Sequence, residues 1–370
     1  MLKKTTLRLG VVAATAVVAL AFGAATPAYA DPSGFKDLVG VGSDTTENLV
    51  NGLGTVVTNI GSYDATGSAT IQTRLGGVAF NRPNGSGNGQ KALSASINLS
   101  GTRTWPATGG VSITGQVDFA RSSSGISSAA VGTDLTFIPF AKDAVSYAVS
   151  AASDFPRDVA KGSSAQDAIS PAPFTLRNIY RGTVTSYVDS GLNAVTIRPL
   201  LPQTGSGTRS FWIGALGMTE ATITAGGVAT DLGNTVQEHN GTFVTMPGDL
   251  VPFSVAQFIQ QGNHGVLPTT VVERRGNIAL GYIDGFTPYV SKAGGGVQLN
   301  AGFPVNRLVY NVVSTPRLTG TSAADLALQA AFSGSTSSVC SATATIQQYG
   351  FGAIGALCGN TTSYKQAFVF

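Results

Sequence analysis

At Leu200–Trp212 the chain reads LLPQTGSGTRSFW, an apolar lead-in followed by a turn rich in Gly, Ser and Thr and then a second apolar run. The pattern predicts a strand, a tight turn and a helix through Ser210–Leu216. A turn that brings hydroxyl side chains to the start of a helix also presents unpaired backbone N–H groups, and together they favour an anion. The candidate ligand-binding residues of this turn are Ser206, Gly207, Thr208 and Arg209.

Three other loops repeat this chemistry. Gly42–Thr46 (GSDTT) follows a predicted strand at Asp37–Val41, Asn84–Gly89 (NGSGNG) precedes a predicted helix, and Arg121–Gly125 (RSSSG) follows a predicted strand at Val117–Ala120. One such loop is a weak signal, but four of them predict a single anion site assembled from distant segments. The candidate ligand-binding residues of these three loops are Ser43, Asp44, Thr45, Thr46, Ser86, Arg121, Ser122 and Ser123.

Each of these signals also has a purely structural explanation. Ser and Thr are ordinary helix caps, so the turn at Ser206 taken alone favours a simple cap. Asp44 suits a turn or a cap as well as it suits a ligand contact. Arg209 can equally serve to stabilise its own loop. It is the recurrence of the motif that favours a binding site.

The first 30 residues have the features of an export signal. Three basic residues precede the apolar stretch Leu9–Phe22, and Ala28–Ala30 (AYA) matches a cleavage site. No cysteine follows that site, which argues against a lipid anchor, and no later window reaches the roughly 20 apolar residues that a membrane span needs. The sequence therefore predicts a secreted, extracellular protein with a signal peptide at residues 1–30.

The composition narrows the functional classes further. Lys and Arg number 22 against 19 Asp and Glu, without a basic run interleaved with aromatics, so no nucleic-acid partner is expected. Cys340 and Cys358 are the only cysteines, and in an oxidising compartment they favour one disulfide. With only His239 and His264 as histidines, neither a metal centre nor another cofactor is expected. Glu238 and His239 are most simply a solvated loop pair, with a place at the edge of a cleft as the alternative.

The hydrophobic pattern predicts the fold class. Apolar runs at Leu135–Phe140 and Ala144–Val149 predict two strands, Ile71–Phe80 predicts a strand region, and Pro252–Ser254 is expected to start a helix that continues to Gln261. Strands alternate with helices, which indicates an α/β protein with mainly parallel sheets. At 370 residues the chain exceeds the size at which one core usually divides, so two lobes are expected.

In their order along the chain, the four loops resemble those of the phosphate-binding receptors of bacterial phosphate ABC transporters. The family's first Thr-containing turn matches Gly42–Thr46, its G-S-G-x-G loop matches Gly85–Gly89, its D-F-x-x-S motif matches Asp118–Ser122, and its G-S-G-T loop matches Gly205–Thr208. The variants GSDTT, FARSS and PQTGSGTR look closest to secreted, actinobacterial-type members. The resemblance implies a two-lobed periplasmic-binding-protein type 2 fold, with a hinge and a ligand cleft between the lobes.

Two departures from the family pattern bear on the ligand. Ser123 stands where the family usually has Asp, and Pro202 and Thr204 stand where it usually has Arg and Asp. Carboxylates accept a hydrogen bond from a protonated phosphate, so their loss leaves both phosphate and sulfate open as ligands. Asp44 can replace the acceptor, and the arginines of two loops can supply the cation. The resemblance implies ligand contacts from Thr45 or Thr46, Ser86, Ser122, Ser206, Gly207 and Thr208.

The predicted function is that of a secreted solute-binding protein, a monomer that binds a tetrahedral oxyanion, phosphate first, and serves an ABC permease. The predicted domains are the signal peptide at 1–30, the first part of lobe 1 at 31–147, lobe 2 at 148–282, and the return to lobe 1 with a C-terminal segment at 283–370. A surface or interaction protein without a transport role and a phosphate-ester hydrolase stay open as alternatives. The chain has no G-x-S-x-G elbow, so the prediction is that it is not an enzyme.

Overall fold

The computed structural model describes residues 31–97 and 102–370. The predicted signal peptide at 1–30 lies outside the described residues, as do residues 98–101. The strands are β1 Leu38–Gly42, β2 Ile60–Ser62, β3 Thr70–Ile71, β4 Phe80–Asn81, β5 Phe119–Ser122, β6 Leu135–Ser150, β7 Asp158–Val159, β8 Ser186–Val188, β9 Ala194–Thr196, β10 Arg198–Pro199, β11 Asp249–Ser254, β12 Ile278–Leu280, β13 Tyr282–Ile283, β14 Tyr289–Ser291, β15 Val297–Leu299, β16 Asn306–Ser314 and β17 Lys365–Gln366. The helices are α1 Glu47–Val56, α2 Ser86–Ile97, α3 Leu176–Tyr180, α4 Gly207–Ala215, α5 Glu220–Gly226, α6 Val255–Gly262, α7 Ala323–Phe332, α8 Ser338–Ser341 and α9 Thr343–Gln348.

Strand β6 is the centre of the main sheet, whose strand order is β10-β11-β6-β16-β5-β1-β2. The first half of β6 pairs with β16 and β17, and its second half pairs with β11 and β12. Its 16 residues, buried along almost their whole length, join the two regions of the molecule. The two strands predicted at 135–140 and 144–149 are therefore one continuous strand.

The prediction of mainly parallel sheets is wrong. Strand β1 does run parallel to β2 and β5, but every pairing of β6 is antiparallel, and so is that of β16 with β5. Strands β11, β12 and β16 each run in the direction opposite to β6, because the chain turns back before each of them. In the described ranges, no helix combines the length and the apolar character that crossing a bilayer requires.

Two apolar clusters cover opposite faces of the sheet around β1, β5 and the first half of β6, and this part is called lobe 1 below. Side chains of a strand alternate between the two faces. Thus Leu38, Phe119 and Ile138 pack on one face with the C-terminal helices. Val39 and Phe137 pack on the other face with α2. The disulfide between Cys340 and Cys358 closes the first of these clusters, as predicted.

A third cluster forms the core of lobe 2. It begins at Ala144 in β6 and includes Trp212 of α4, the apolar side chains of β11, and a final group ending at Phe303 and Val305. Trp212 is fully buried, with its ring edge-on to Tyr180 and the ring centroids 5.9 Å apart. The turn at Leu200–Trp212 is thereby anchored in this core, which holds the start of α4 rigidly at the junction of the lobes.

Two local predictions are also corrected. Pro252 lies within β11, opposite Tyr147 of β6, and α6 starts only at Val255. Strand β10 pairs with β11 only at Asp249 and Leu250. The missing N–H group of Pro252 therefore costs no hydrogen bond between β10 and β11. The predicted strand region 71–80 is not one strand. Only its two ends are extended, Ile71 in β3 and Phe80 in β4, and the residues between them include a turn.

Candidate functional site

The four loops singled out in the sequence meet at the junction of the lobes. Strands β1 and β5 are parallel neighbours, so the loops that follow Gly42 and Ser122 leave the same edge of the sheet. An isolated bridge joins Gly42 to Asn84 and brings the start of α2 to that edge. Gly42 has a φ of +118°, and a Cβ atom there would lie 2.8 Å from the backbone oxygen of Arg121, so this crossing requires glycine.

Ser123 is the centre of the hydroxyl groups that lobe 1 contributes. Its Oγ accepts a hydrogen bond from Ser43 Oγ at 3.1 Å and lies 3.2 Å from both Thr45 Oγ1 and Ser86 Oγ. The backbone N–H of Ser123 also donates to Ser86 Oγ, at 3.0 Å. All four side chains are fully buried. The structure therefore brings together one hydroxyl group or more from each predicted loop of lobe 1.

The turn that precedes α4 supplies the hydroxyl groups of lobe 2. Ser206 caps the helix by accepting from the backbone N–H groups of Thr208 and Arg209, and Thr208 Oγ1 lies 3.3 Å from Thr45 Oγ1. The two lobes also touch through their backbones, since Gly87 N donates to Gly205 O at 3.1 Å. Hydroxyl groups of both lobes thus form one continuous group, called the hydroxyl cluster: Ser43, Thr45, Ser86, Ser123, Ser206 and Thr208.

Glu238 is the carboxylate of this site, and the prediction of a solvated loop pair is wrong for it and for His239. Both side chains are buried. Thr45 Oγ1 and Thr208 Oγ1 donate to Glu238 Oε1, each at 2.8 Å, and Ser206 Oγ donates to Oε2 at 2.9 Å. Burial, together with the adjacent carboxyl group of Asp44, raises the pKa of Glu238 to about 7. The site therefore holds an acceptor that binds a proton close to neutral pH.

Arg307, in β16, is the cation of the site and is not among the predicted site residues. Its Nη2 donates to Thr208 Oγ1 at 2.7 Å and to Thr45 Oγ1 at 3.3 Å. Nη2 and Nε also donate to Asp143 Oδ2, at 2.9 Å and 3.2 Å, and both side chains of this ion pair are buried. Asp143 Oδ1 in turn accepts from Ser254 Oγ and from the backbone N–H of Ala256. The pair thereby fixes the guanidinium group at the edge of the hydroxyl cluster.

Asp44 and His239 form the wall behind this cluster. Asp44 is fully buried, and Thr45 N donates to its Oδ1 at 3.1 Å. Its Oδ2 lies 3.2 Å from His239 Nδ1, although the two atoms are not aligned for a hydrogen bond. Burial raises the pKa of Asp44 and lowers the pKa of His239, and so favours the neutral form of both. The other ring nitrogen of His239 faces Arg274 Nη1 at 3.2 Å, so neither nitrogen of this imidazole is bonded to a serine.

The two arginines predicted as ligand contacts make structural bonds instead. Arg121 is fully buried and donates to Ser43 O at 2.9 Å, Ser62 Oγ at 2.6 Å and Tyr63 O at 2.7 Å, which braces the first loop from behind. Arg209 points away from the cluster and pairs with the carboxylates of Glu220 and Asp231. The structure thus places neither guanidinium group among the hydroxyl groups.

The remaining candidates lie around the cluster. Thr46 is buried, and its hydroxyl group has no hydrogen-bond partner among the described residues. Ser122 Oγ donates to Ser124 O and accepts from Gln90 Nε2, so it supports the loop after β5. Gly207 packs so closely that a Cβ atom there would lie 2.4 Å from Ser86 Oγ. Gly207 therefore forms one of the close contacts between the lobes.

A family model described as a PBP superfamily domain matches residues 27–272, well over half of the chain. No curated protein matches the sequence. The matched range contains all four loops of the site together with Asp143 and Glu238, whereas Arg307 lies beyond it.

Several solved structures share the fold. A Clostridium perfringens protein, described as a phosphate ABC transporter substrate-binding protein with bound phosphate, is 12% identical, with 86% of this chain and 99% of that chain covered and a TM-score of 0.51. An ABC-type phosphate transport receptor from Vibrio cholerae is 13% identical, with 86% and 100% covered and a TM-score of 0.49. A phosphate-binding protein from Stenotrophomonas maltophilia is 14% identical, with 86% and 91% covered and a TM-score of 0.46.

Identities this low establish a likeness of fold and nothing more, and the comparison of folds rests on the first of the three structures. That likeness, the family match and the two cores joined by β6 confirm the predicted α/β, two-lobed type 2 fold. The chain belongs to the family whose members contain the PBP superfamily domain.

Proposed function

We propose that this protein is a secreted solute-binding protein that binds a tetrahedral oxyanion, phosphate in preference to sulfate, at the hydroxyl cluster. The observation that carries the proposal is the convergence of six buried hydroxyl side chains from both lobes on one point beside Arg307. A hydroxyl group can rotate its O–H bond toward whichever acceptor is present. The cluster can therefore exchange its internal hydrogen bonds for bonds to an anion.

Charge at the site favours an anion as well. The cluster lies at the N-termini of α2 and α4, where helix dipoles and free backbone N–H groups attract negative charge. Arg307 adds a full positive charge. Its Nη1 and the Thr46 hydroxyl are buried without a hydrogen-bond partner among the described residues, and such groups are rare in folded proteins unless a ligand or water completes them.

Glu238 supports phosphate over sulfate. Phosphate keeps a proton near neutral pH and can donate it to a carboxylate, whereas sulfate has no proton to donate. In this chain Glu238 occupies the role that acidic residues before Gly205 and after Ser122 have in the family that the sequence resembles. Above the pKa of Glu238, about 7, a sulfate ion beside the ionised carboxylate would be repelled without any compensating hydrogen bond.

Calorimetry with inorganic phosphate and with sulfate tests the proposal. Phosphate should bind with heat, and sulfate should bind at least about tenfold more weakly, which corresponds to 1.4 kcal/mol. Ser123→Ala removes the central hydroxyl group and leaves its Cβ atom, so the Kd for phosphate should rise at least about tenfold. Ser112→Ala, on the surface, should leave that Kd unchanged. An absence of heat and of thermal shift with both anions would rule the proposal out.

Delivery to an ABC permease is part of the same proposal, because the Clostridium perfringens protein that shares this fold is described as a phosphate ABC transporter substrate-binding protein. Fractionation of cultures of the native host should place the protein, cleaved after residue 30, outside the cell. Genes for a permease and an ATPase beside its own gene would support transport, whereas an isolated gene would favour a surface protein without a transport role.

A further inference from the structure

Helix α6 packs against the cores of both lobes. Val255 and Ile259 belong to the apolar cluster of lobe 2, whereas Ala256 belongs to a cluster of lobe 1. The same helix carries Gln257 and Gln261, which are one helical turn apart and are both buried. Buried amide groups are as a rule hydrogen-bonded. The partners of these two amides are backbone groups of the loops that form the anion site.

Gln257 holds the loop that follows β1. Its Nε2 donates to Asp44 O and to Thr45 O, each at 2.9 Å, so both N–H bonds of the amide are used on two consecutive carbonyl groups. Thr45 is the residue of lobe 1 whose hydroxyl group reaches both Glu238 and Thr208. By fixing these carbonyl groups, Gln257 fixes the backbone that carries the Thr45 hydroxyl group.

Gln261 extends this contact to the loop that carries the carboxylate. Its Nε2 donates to His239 O at 2.8 Å and to Gln257 Oε1 at 3.2 Å. Its Oε1 accepts from the backbone N–H of Arg274 at 2.8 Å. His239 directly follows Glu238 in the chain, so the two amides hold the loop of Thr45 and the loop of Glu238 from one helix.

The start of α6 is itself held in place. Ser254 caps the helix by accepting from the backbone N–H of Gln257 at 3.2 Å. Ser254 Oγ and the backbone N–H of Ala256 both donate to Asp143 Oδ1, and Asp143 is paired with Arg307. The side chain of Gln257 therefore extends from a helix that is fixed relative to the cation of the site.

From these contacts we infer that Gln257 is a positioning residue of the anion site: supported by Gln261, it holds the Thr45 hydroxyl group opposite Glu238 and so contributes to the affinity for the anion. The inference rests on the proposed function, since it needs an anion that binds at the hydroxyl cluster. It extends that function to α6, whose side chains belong neither to the hydroxyl cluster nor to the charged groups around it.

The first test compares two glutamines of the same helix. Gln257→Met keeps an unbranched side chain and removes both donors, so the Kd for inorganic phosphate, measured by calorimetry on the full chain, should rise at least about tenfold. The matched control is Gln260→Met. Gln260 is equally buried, but its amide has no hydrogen-bond partner among the described residues, so the Kd should stay as in the unmodified protein. An unchanged Kd in Gln257→Met would overturn the inference.

A second test separates positioning from general support of the fold. Thr45→Val removes the hydroxyl group that Gln257 positions and should by itself raise the Kd for phosphate about tenfold. Adding Gln257→Met should then raise the Kd by less than about twofold more, because residues that act through one contact have non-additive effects. Two full effects that multiply would mean that Gln257 does not act through Thr45, and would overturn the inference.

Urea unfolding shows whether each variant is folded under the conditions of calorimetry. If Gln257→Met is not folded, Gln261→Met replaces it. This variant keeps the contacts of Gln257 with the loop and removes only their support, so the Kd for phosphate should rise about threefold, and an unchanged Kd would overturn the inference. If the unmodified protein does not bind phosphate, the proposed function falls together with the inference. If it binds phosphate and the Gln257 variants bind it equally well, the inference alone falls.

Discussion

Glu238 is the residue whose charge state matters most for the site, because three hydroxyl groups and Asp44 surround it in a buried position. Its pKa is raised to about 7 in the folded protein, against 4.5 for an unperturbed Glu. The folded state therefore holds this proton more tightly than the unfolded chain does. The stability that this adds is fully present below pH 4.5 and is lost as the pH rises to about 7.

Glu238→Gln mimics the protonated carboxyl group and should remove this pH dependence. Between pH 4.5 and about pH 8, the free energy of unfolding of the unmodified protein should fall more than that of the variant. Urea unfolding at both pH values measures the difference. Glu220→Gln, on the surface, should keep the pH dependence of the unmodified protein. Equal losses in Glu238→Gln and the unmodified protein would contradict the prediction.

Sequence patterns identified the hydroxyl residues of the site but not its charged ones. Ser and Thr beside Gly at a helix start are a local signal, which is why Ser86 and Ser206 could be named. Ser123 could be named because it lies in a Ser-rich turn directly after a strand. Glu238 instead accepts a hydrogen bond from Thr45, which is 193 positions away along the chain. Arg307 similarly meets Thr45 across 262 positions. The residues that neighbour Glu238 and Arg307 in the sequence therefore do not predict these hydrogen bonds.

At the scale of elements, strand β6 shows why polarity misleads a local prediction. Asp143 and Lys142 interrupt the apolar pattern, so two strands were predicted where the chain forms one. Asp143 is nevertheless fully buried, because Arg307 on β16, Ser254 at the end of β11 and the first turn of α6 satisfy its carboxylate.

The start of α4 is the element on which closure of the two lobes depends. Gly207→Ala adds a Cβ atom that would meet Ser86 Oγ at 2.4 Å and Ser123 Oγ at 2.5 Å, so the lobes must separate to accept it. Overpacking of this kind costs about 1–3 kcal/mol, and the Kd for phosphate should rise by about tenfold or more. Calorimetry measures the change in affinity.

Gly214→Ala is the matched control, because it lies on the same helix and its Cβ atom would face open space. It should leave the Kd for phosphate unchanged and stabilise the protein by about 0.5–1 kcal/mol, since Ala is a better helix former than Gly. Equal phosphate affinities in the two variants would contradict the role given to Gly207.

At the scale of the molecule, the chain crosses between the lobes on β6 and β16. The boundary predicted at residue 283 stays a prediction, but Leu299, Phe303 and Val305 pack in the core of lobe 2. We therefore place the return to lobe 1 at Asn306, where β16 begins to pair with β6. The hinge would then lie near Ala144 and Asn306, which are paired across the two strands.

The ion pair of Asp143 and Arg307 stands at this crossing and joins stability to binding, and two variants separate these roles. Arg307→Gln leaves Asp143 buried without its cation, which should cost about 3–5 kcal/mol in the free energy of unfolding and abolish phosphate binding. Adding Asp143→Asn removes the unpaired charge and keeps an oxygen for Ser254 and Ala256, so much of the lost stability should return. Phosphate binding should not return, because the guanidinium group beside Thr208 is still missing. Urea unfolding and calorimetry on both variants measure the two effects, and a double variant that binds phosphate normally would show that Arg307 serves the fold alone.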